Sequence, residues 1–285
     1  MENFPKQKDS AQLERQVANG ALFSGSRFMV DNMPNLLTLS EKELKENYPD
    51  HYQEYLTVLR SHKERLPATT RRFCIKINDT NTNYVVKALE SSFEGEIAKR
   101  VADLKIGPEQ FEALPGTIRE LFIEGTPLLK LSPEEATPEL MKDLGTQVAE
   151  HLETLHKNNI LVNDQILTND FGKSHLIIDE SKKVKFVDFG ASIDITEYPN
   201  ISDEAVYSLM RTDPMAGFIL PQITQENFKS EVQKYRDVIL SQYPTKEAIV
   251  EIKDMQLLRE GLHFLGQRMP NIQSFAQGVQ GVFNS

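Results

Sequence analysis

Three side chains able to accept protons or bind metal crowd one short stretch, "NDFGKSHLIIDESKKVKFVDFG" at residues 169–190. Asp170 and Asp188 each open an Asp-Phe-Gly turn, and His175 stands between them. The apolar runs "LII" and "VKFVDF", joined by the polar turn "DESKK", read as two short strands that pair antiparallel. A hairpin returns to its own starting level, so Asp170, His175 and Asp188 are expected at one end. Two carboxylates and an imidazole converging there could take a proton from a hydroxyl or hold a divalent metal.

The flanking elements must position that end. Residues 1–65 are polar and read as helical, with "LSEKELKENYPDHYQEYLTVLRSHKERL" interrupted at Pro49. After Pro67 the composition shifts: "RRFCIKI" and "NYVVKAL" flank the turn signal "NDTNT" and predict a hairpin. Phe93, Ile97, Val101 and Leu104 share one helical face, and Gly107-Pro108 should close that helix. "TIRELFI" is a further strand. Thr137 caps a helix that has Pro138 at its first position and runs to about Asn158, with Leu140, Met141, Leu144, Val148, Leu152 and Leu155 as its stripe. From about Ile201 the chain reads as mainly helical. Strands followed by helices predict an α+β, two-lobed protein: a helical extension over 1–66, a β-rich lobe over 67–123, and a mostly helical lobe over 124–285.

In this order the motifs resemble those of the protein-kinase-like superfamily, in an atypical form close to RIO-type, choline-kinase-like and aminoglycoside-phosphotransferase-like proteins. The family pattern is an Asp, a metal-binding residue five positions later, a short hairpin, and Asp-Phe-Gly. Asp170, His175, "LIID" and "VDFG" follow that layout. The resemblance implies Asp170 as the base at the acceptor hydroxyl, and His175 and Asp188 as ligands of the divalent metal, Mg2+ or Mn2+, that accompanies ATP. Asp164 and Asn169 offer a second register with the usual Asn, but no strand begins directly after Asn169.

The remaining family parts also occur in sequence. Lys87 in "NYVVKAL" matches the strand lysine that anchors phosphates, and Glu94 matches its helical partner. Glu96 is the alternative, although its neighbours Lys99, Arg100 and Asp103 mark a solvent-facing side. "RELFIEGTPL" resembles the lobe connector, with Glu120 and Phe122 implied to offer main-chain groups to the adenine. Two departures stand out. There is no glycine between Gly25 and Gly95, so Thr69 and Thr70 in "LPATT" occupy the place of the Gly-rich loop. Thr168-Asn169 replaces the basic half of the usual catalytic-loop motif.

Composition narrows the partners. A net charge of −10 argues against general nucleic-acid binding and suits a basic or neutral partner. No apolar run reaches the roughly 20 residues of a membrane span, and no secretory leader precedes the helical region. A cytoplasmic setting is expected, with leaderless export into a host cytoplasm left open. Cys74 alone supports neither a disulfide nor a cysteine zinc site. The compact chain after Asp188 and the short span from Glu120 to Asp170 point to a protein Ser/Thr acceptor rather than a small molecule. A small-molecule kinase of choline or aminoglycoside type, a pseudokinase or nucleotide-binding scaffold, and an AMP-transferring enzyme are the alternative readings.

Overall fold

The computed structural model describes residues 45–47, 49, 63–65, 74–78, 83–88, 94–114, 117–164, 166–167, 175–213, 216, 220–224, 226–266 and 269–284. The protein is α+β. Its contacts divide it into two units, Met1–Leu89 with Gln110–Phe122, and Glu90–Glu109 with Ile123–Ser285.

The first unit carries a five-stranded antiparallel sheet in the order β1-β2-β3-β5-β4. Its strands are β1 (Lys63–Arg65), β2 (Cys74–Asn78), β3 (Asn83–Ala88), β4 (Gln110–Leu114) and β5 (Thr117–Leu121). The hairpin expected from "NDTNT" is present, with Cys74 opposite Lys87 and Asn78 opposite Asn83. Lys63–Arg65 departs from the helical reading of the leader. These residues pair with Ile75–Ile77 at the sheet edge. A short charged edge strand carries no alternating pattern that a sequence could display, because charge there protects the open edge. Residues 45–47 and 49 are helical; the rest of the predicted leader helix lies outside the described residues. β4 was not foreseen either. It runs through "QFEAL" as the second outer strand, with an irregularity between Gln110 and Glu112.

In the second unit, helix α1 (Glu94–Asp103) buries Ile97, Ala98 and Val101, three of them on the expected face or beside it. It ends at Asp103, before Gly107, and Lys105 just beyond it is left-handed, φ 62°. The amides of Ile106 and Gly107 then close back on the Val101 carbonyl. Helix α2 (Pro138–Lys157) starts as predicted, with the Thr137 side chain accepting from the Leu140 amide and Pro138 in the first turn. Met141, Leu144, Val148, Leu152 and Leu155 are buried along it. Its partner is α7 (Ile272–Phe283), which approaches so closely that a Cβ at Gly145 would lie 2.1 Å from the Phe275 carbonyl oxygen.

β6 (Gly125–Pro127) precedes α2, and β7 (Ile160–Leu161), β8 (Leu176–Asp179), β9 (Val184–Phe186) and β10 (Ile193–Asp194) follow it. β6, β8 and β9 form one small antiparallel sheet, and β7 pairs with β10. β6 was hidden because Gly125 and Pro127 are poor strand formers. Glycine is required there: a Cβ would meet the Ile178 carbonyl oxygen at 2.3 Å. Helices α3 (Asp203–Arg211), α4 (Phe228–Gln242), α5 (Lys246–Val250) and α6 (Gln256–Leu265) complete the helical remainder, with a π-helical turn at Glu251–Met255 joining α5 to α6. Ile193, Ile195, Val206, Leu209, Val232, Ile239 and Ile249 share the core beneath them. Among the described residues no helix is long and apolar enough to cross a membrane.

Candidate functional site

Hairpin β8–β9 forms as its turn chemistry requires. Leu176 faces Phe186 and Ile178 faces Val184. The bend is held by Asp179, whose carboxylate accepts from the Lys183 amide at 2.9 Å, and by Lys182 in the left-handed region at φ 60°. One step beyond the last ladder pair, the Val187 amide donates to the His175 carbonyl at 2.8 Å. His175 therefore lies across from the residue preceding Asp188, at the open end of the hairpin. Asp188 takes the left-handed conformation, φ 71°, and accepts from the Gly190 amide at 3.3 Å. Phe189 is buried beneath it.

A second loop meets that end. β7 leads into Val162, Asn163 and Asp164, and a carboxylate from the far helical region grips this loop. Asp254, wholly buried on the π-helical turn, accepts from the Val162 amide at 2.9 Å and from the Asn163 amide at 2.7 Å. His156, in the last turn of α2, bonds the same carboxylate at 2.8 Å. Asn163 is left-handed, φ 55°, and also wholly buried. Its amide nitrogen donates to the carbonyls of Ala191 and Ser208, and its oxygen accepts from Thr212 at 2.8 Å. Ser192 donates to the Val162 carbonyl at 3.0 Å. The loop after β7 and the turn after Asp188 are thereby sewn together by buried hydrogen bonds, which low dielectric strengthens.

Lys253 lies beside this network, with its ammonium on the Leu209 carbonyl at 3.2 Å. Burial pushes its pKa down, while Asp213 and Asp254 pull it back up. Asp164 follows directly after the two amides that Asp254 holds. Its Oδ2 lies 3.8 Å from His175 Nδ1.

The sequence-predicted residues fall as follows. His175 and Asp188 share one end of the hairpin, as expected. Asp170, Asn169, Thr168, Thr69 and Thr70 lie outside the described residues. Lys87 lies on β3, a central strand of the first unit, with its backbone between Cys74 and Ile118. Glu94 opens α1 in the second unit and is fully buried, whereas Glu96 is exposed. Glu120 is buried on β5 between β3 and β4, and Gln110 donates to its carboxylate at 3.1 Å. The Phe122 amide donates to the Asn83 carbonyl at 2.9 Å, so that N–H is already engaged within the first unit.

Asp254, His156 and Asn163 went unread in the sequence. For Asn163 the adjacent "LVND" was a usable signal; for Asp254 in "EIKDM" there was none.

Among the described residues no group of three His, Cys, Asp or Glu could hold a metal by itself. No family model matches the sequence, and no curated protein matches it.

Proposed function

We propose that the protein is an ATP-dependent phosphotransferase of the atypical protein-kinase type, built as a two-lobed kinase-like fold and acting on protein Ser/Thr hydroxyls. The observation that carries this reading is the meeting of Asp164, His175 and the Asp188 turn at one end of hairpin β8–β9. In-line phosphoryl transfer asks little covalent chemistry of a protein. It needs a carboxylate at the acceptor hydroxyl and an anionic ligand for the metal on the phosphates.

Asp188 is assigned to the metal. Asp164 is assigned to the hydroxyl, because its loop is fixed by Asp254 and its side chain faces His175; Asp170 is the alternative from the sequence. On this assignment residues 165–174 are an insertion between the carboxylate and the strand that follows it in the family layout. Lys87 is assigned to the phosphates. Main-chain contacts to the adenine fall to the connector from Glu120 to Glu124, with the Phe122 amide excluded by its bond to Asn83.

The test is incubation with metal, a basic protein acceptor and ATP labelled at the γ or the α position. Transfer of the γ label is expected. Transfer of the α label would mean AMP transfer, and metal-dependent ATP binding with no transfer would mean a scaffold. A small-molecule acceptor is recognised by γ-label transfer to an amino alcohol or aminoglycoside in place of protein.

A further inference from the structure

We propose that His175 is a positioning residue for Asp164, donating from its Nδ1–H to the Asp164 carboxylate, and not a metal ligand; this rests on the phosphotransferase reading. The His175 side chain is only 12% exposed, and its Nδ1 is buried with no hydrogen-bond partner. The Asp164 Oδ2 is 3.8 Å away, inside ion-pair range but too long for a hydrogen bond. A buried ring nitrogen facing a carboxylate across that gap closes it by about 1 Å of side-chain adjustment to reach a charge-assisted N–H···O length.

Both backbones are poorly able to move apart. His175 is held by the Val187 amide and precedes Leu176, whose side chain is 1% exposed and paired across the hairpin with Phe186. Asp164 follows two amides clasped by Asp254. The side chains are therefore presented to each other by two separately anchored supports. A donor on Oδ2 fixes the orientation of the carboxylate plane that faces the acceptor hydroxyl. No change of protonation is required, since the neutral Nδ1–H tautomer supplies the donor.

This separates His175 from the metal in a measurable way. A ligand acts on metal affinity, whereas a group that orients the base acts on turnover. Asparagine places an amide N–H near the position of Nδ1, so it should replace the histidine; leucine cannot.

The experiment uses the full chain and has two arms. In the first, the ring nitrogens of His175 are read by 15N-correlated NMR at a pH where the ring is neutral. The Nδ1–H tautomer is expected, with its signal displaced in Asp164→Asn. An Nε2–H tautomer, or no response to Asp164→Asn, overturns the inference whatever the activity of the protein. In the second arm, His175→Leu should lower kcat roughly 10- to 100-fold, the lower part of the range seen when acid–base assistance is impaired. The half-saturating Mg2+ and Mn2+ concentrations and KM for ATP should stay within about twofold. His175→Asn should recover most of the loss, and it also covers the case of a leucine variant that fails to fold. A raised metal requirement with kcat preserved, or Asn as impaired as Leu, overturns the positioning role. A wild-type chain that transfers no label overturns the phosphotransferase reading, and the kinetic half of the inference with it.

Discussion

Asp164 and Asp170 compete for one role, and single residues decide between them. With Asp164 as base, Asp164→Asn should cut turnover by roughly 10²- to 10⁴-fold while leaving nucleotide affinity almost unchanged. Asp170→Asn should then be nearly silent, and the reverse pattern would restore the Asp170 register. Asp188→Ala should instead abolish metal-dependent nucleotide binding, measured by calorimetry with and without Mg2+. Asp254 is a different kind of residue, because it touches no substrate in this scheme. Its replacement by Ala would leave the buried amides of Val162 and Asn163 without an acceptor and His156 without its partner. Removing one side of such a buried charged cluster costs about 3–5 kcal/mol. Urea denaturation of Asp254→Ala should register that loss, and a change under about 1 kcal/mol would mean the amides find other acceptors.

At the scale of elements, the C-terminal half of α1 and the turn after it bond to neighbouring elements of the second unit. The Arg100 guanidinium donates to the Asp194 carboxylate on β10 and to the Asn158 carbonyl at the end of α2. The Phe186 amide donates to the Ile106 carbonyl at 3.0 Å, and Lys185 donates to the Lys105 carbonyl at 2.6 Å. Burial alone would raise the Asp194 pKa, but Thr196 and Arg100 hold it below the usual carboxylate value. The sign follows from that depression. The stabilisation is present above the unfolded-state pKa and is lost as pH falls through the folded one. Arg100→Ala should cost about 1–2 kcal/mol, discounted for partial exposure, and should flatten the acid limb of the stability–pH curve. Hydrogen exchange should show α1 amides opening more readily, because Glu94 at its other end rides on the same helix. Unchanged α1 protection would place the anchor in the apolar face of Ile97 and Val101 instead.

For the molecule as a whole, the proposed phosphotransferase reading makes the charge of −10 bear on the acceptor more than on ATP. Long-range attraction to a basic protein is screened over about 10 Å at 0.1 M salt, whereas a phosphate contact inside the site is much less exposed to screening. KM for a basic acceptor should therefore rise several-fold between about 0.05 and 0.2 M salt, with KM for ATP changing little. Equal salt sensitivity of the two would remove net charge as a selector of substrate.

What the sequence determined by itself was local. The polar turn between two apolar runs specified hairpin β8–β9, and that hairpin alone required His175 to stand beside the Asp188 turn. Thr137-Pro138 specified the start of α2, and the 3.6-residue period of Ile97 and Val101 specified the inward face of α1 that also carries Glu94. Each of these depends on residues within a few positions of one another, where turn and helix geometry leave a readable pattern. The two outer strands β1 and β4 left little pattern, since an edge strand need bury only part of one face. The sequence favours Asp170 as the carboxylate that acts with His175, because a strand begins directly after His175, and it carries no sign that Asp164 lies 3.8 Å from His175. Tertiary structure brings Asp254, 91 positions from Asn163, under the loop that carries Asp164. A single hydrogen-bonding side chain at that separation imposes no periodicity on its neighbours. Only the folded chain brings the donor amides and their acceptor together.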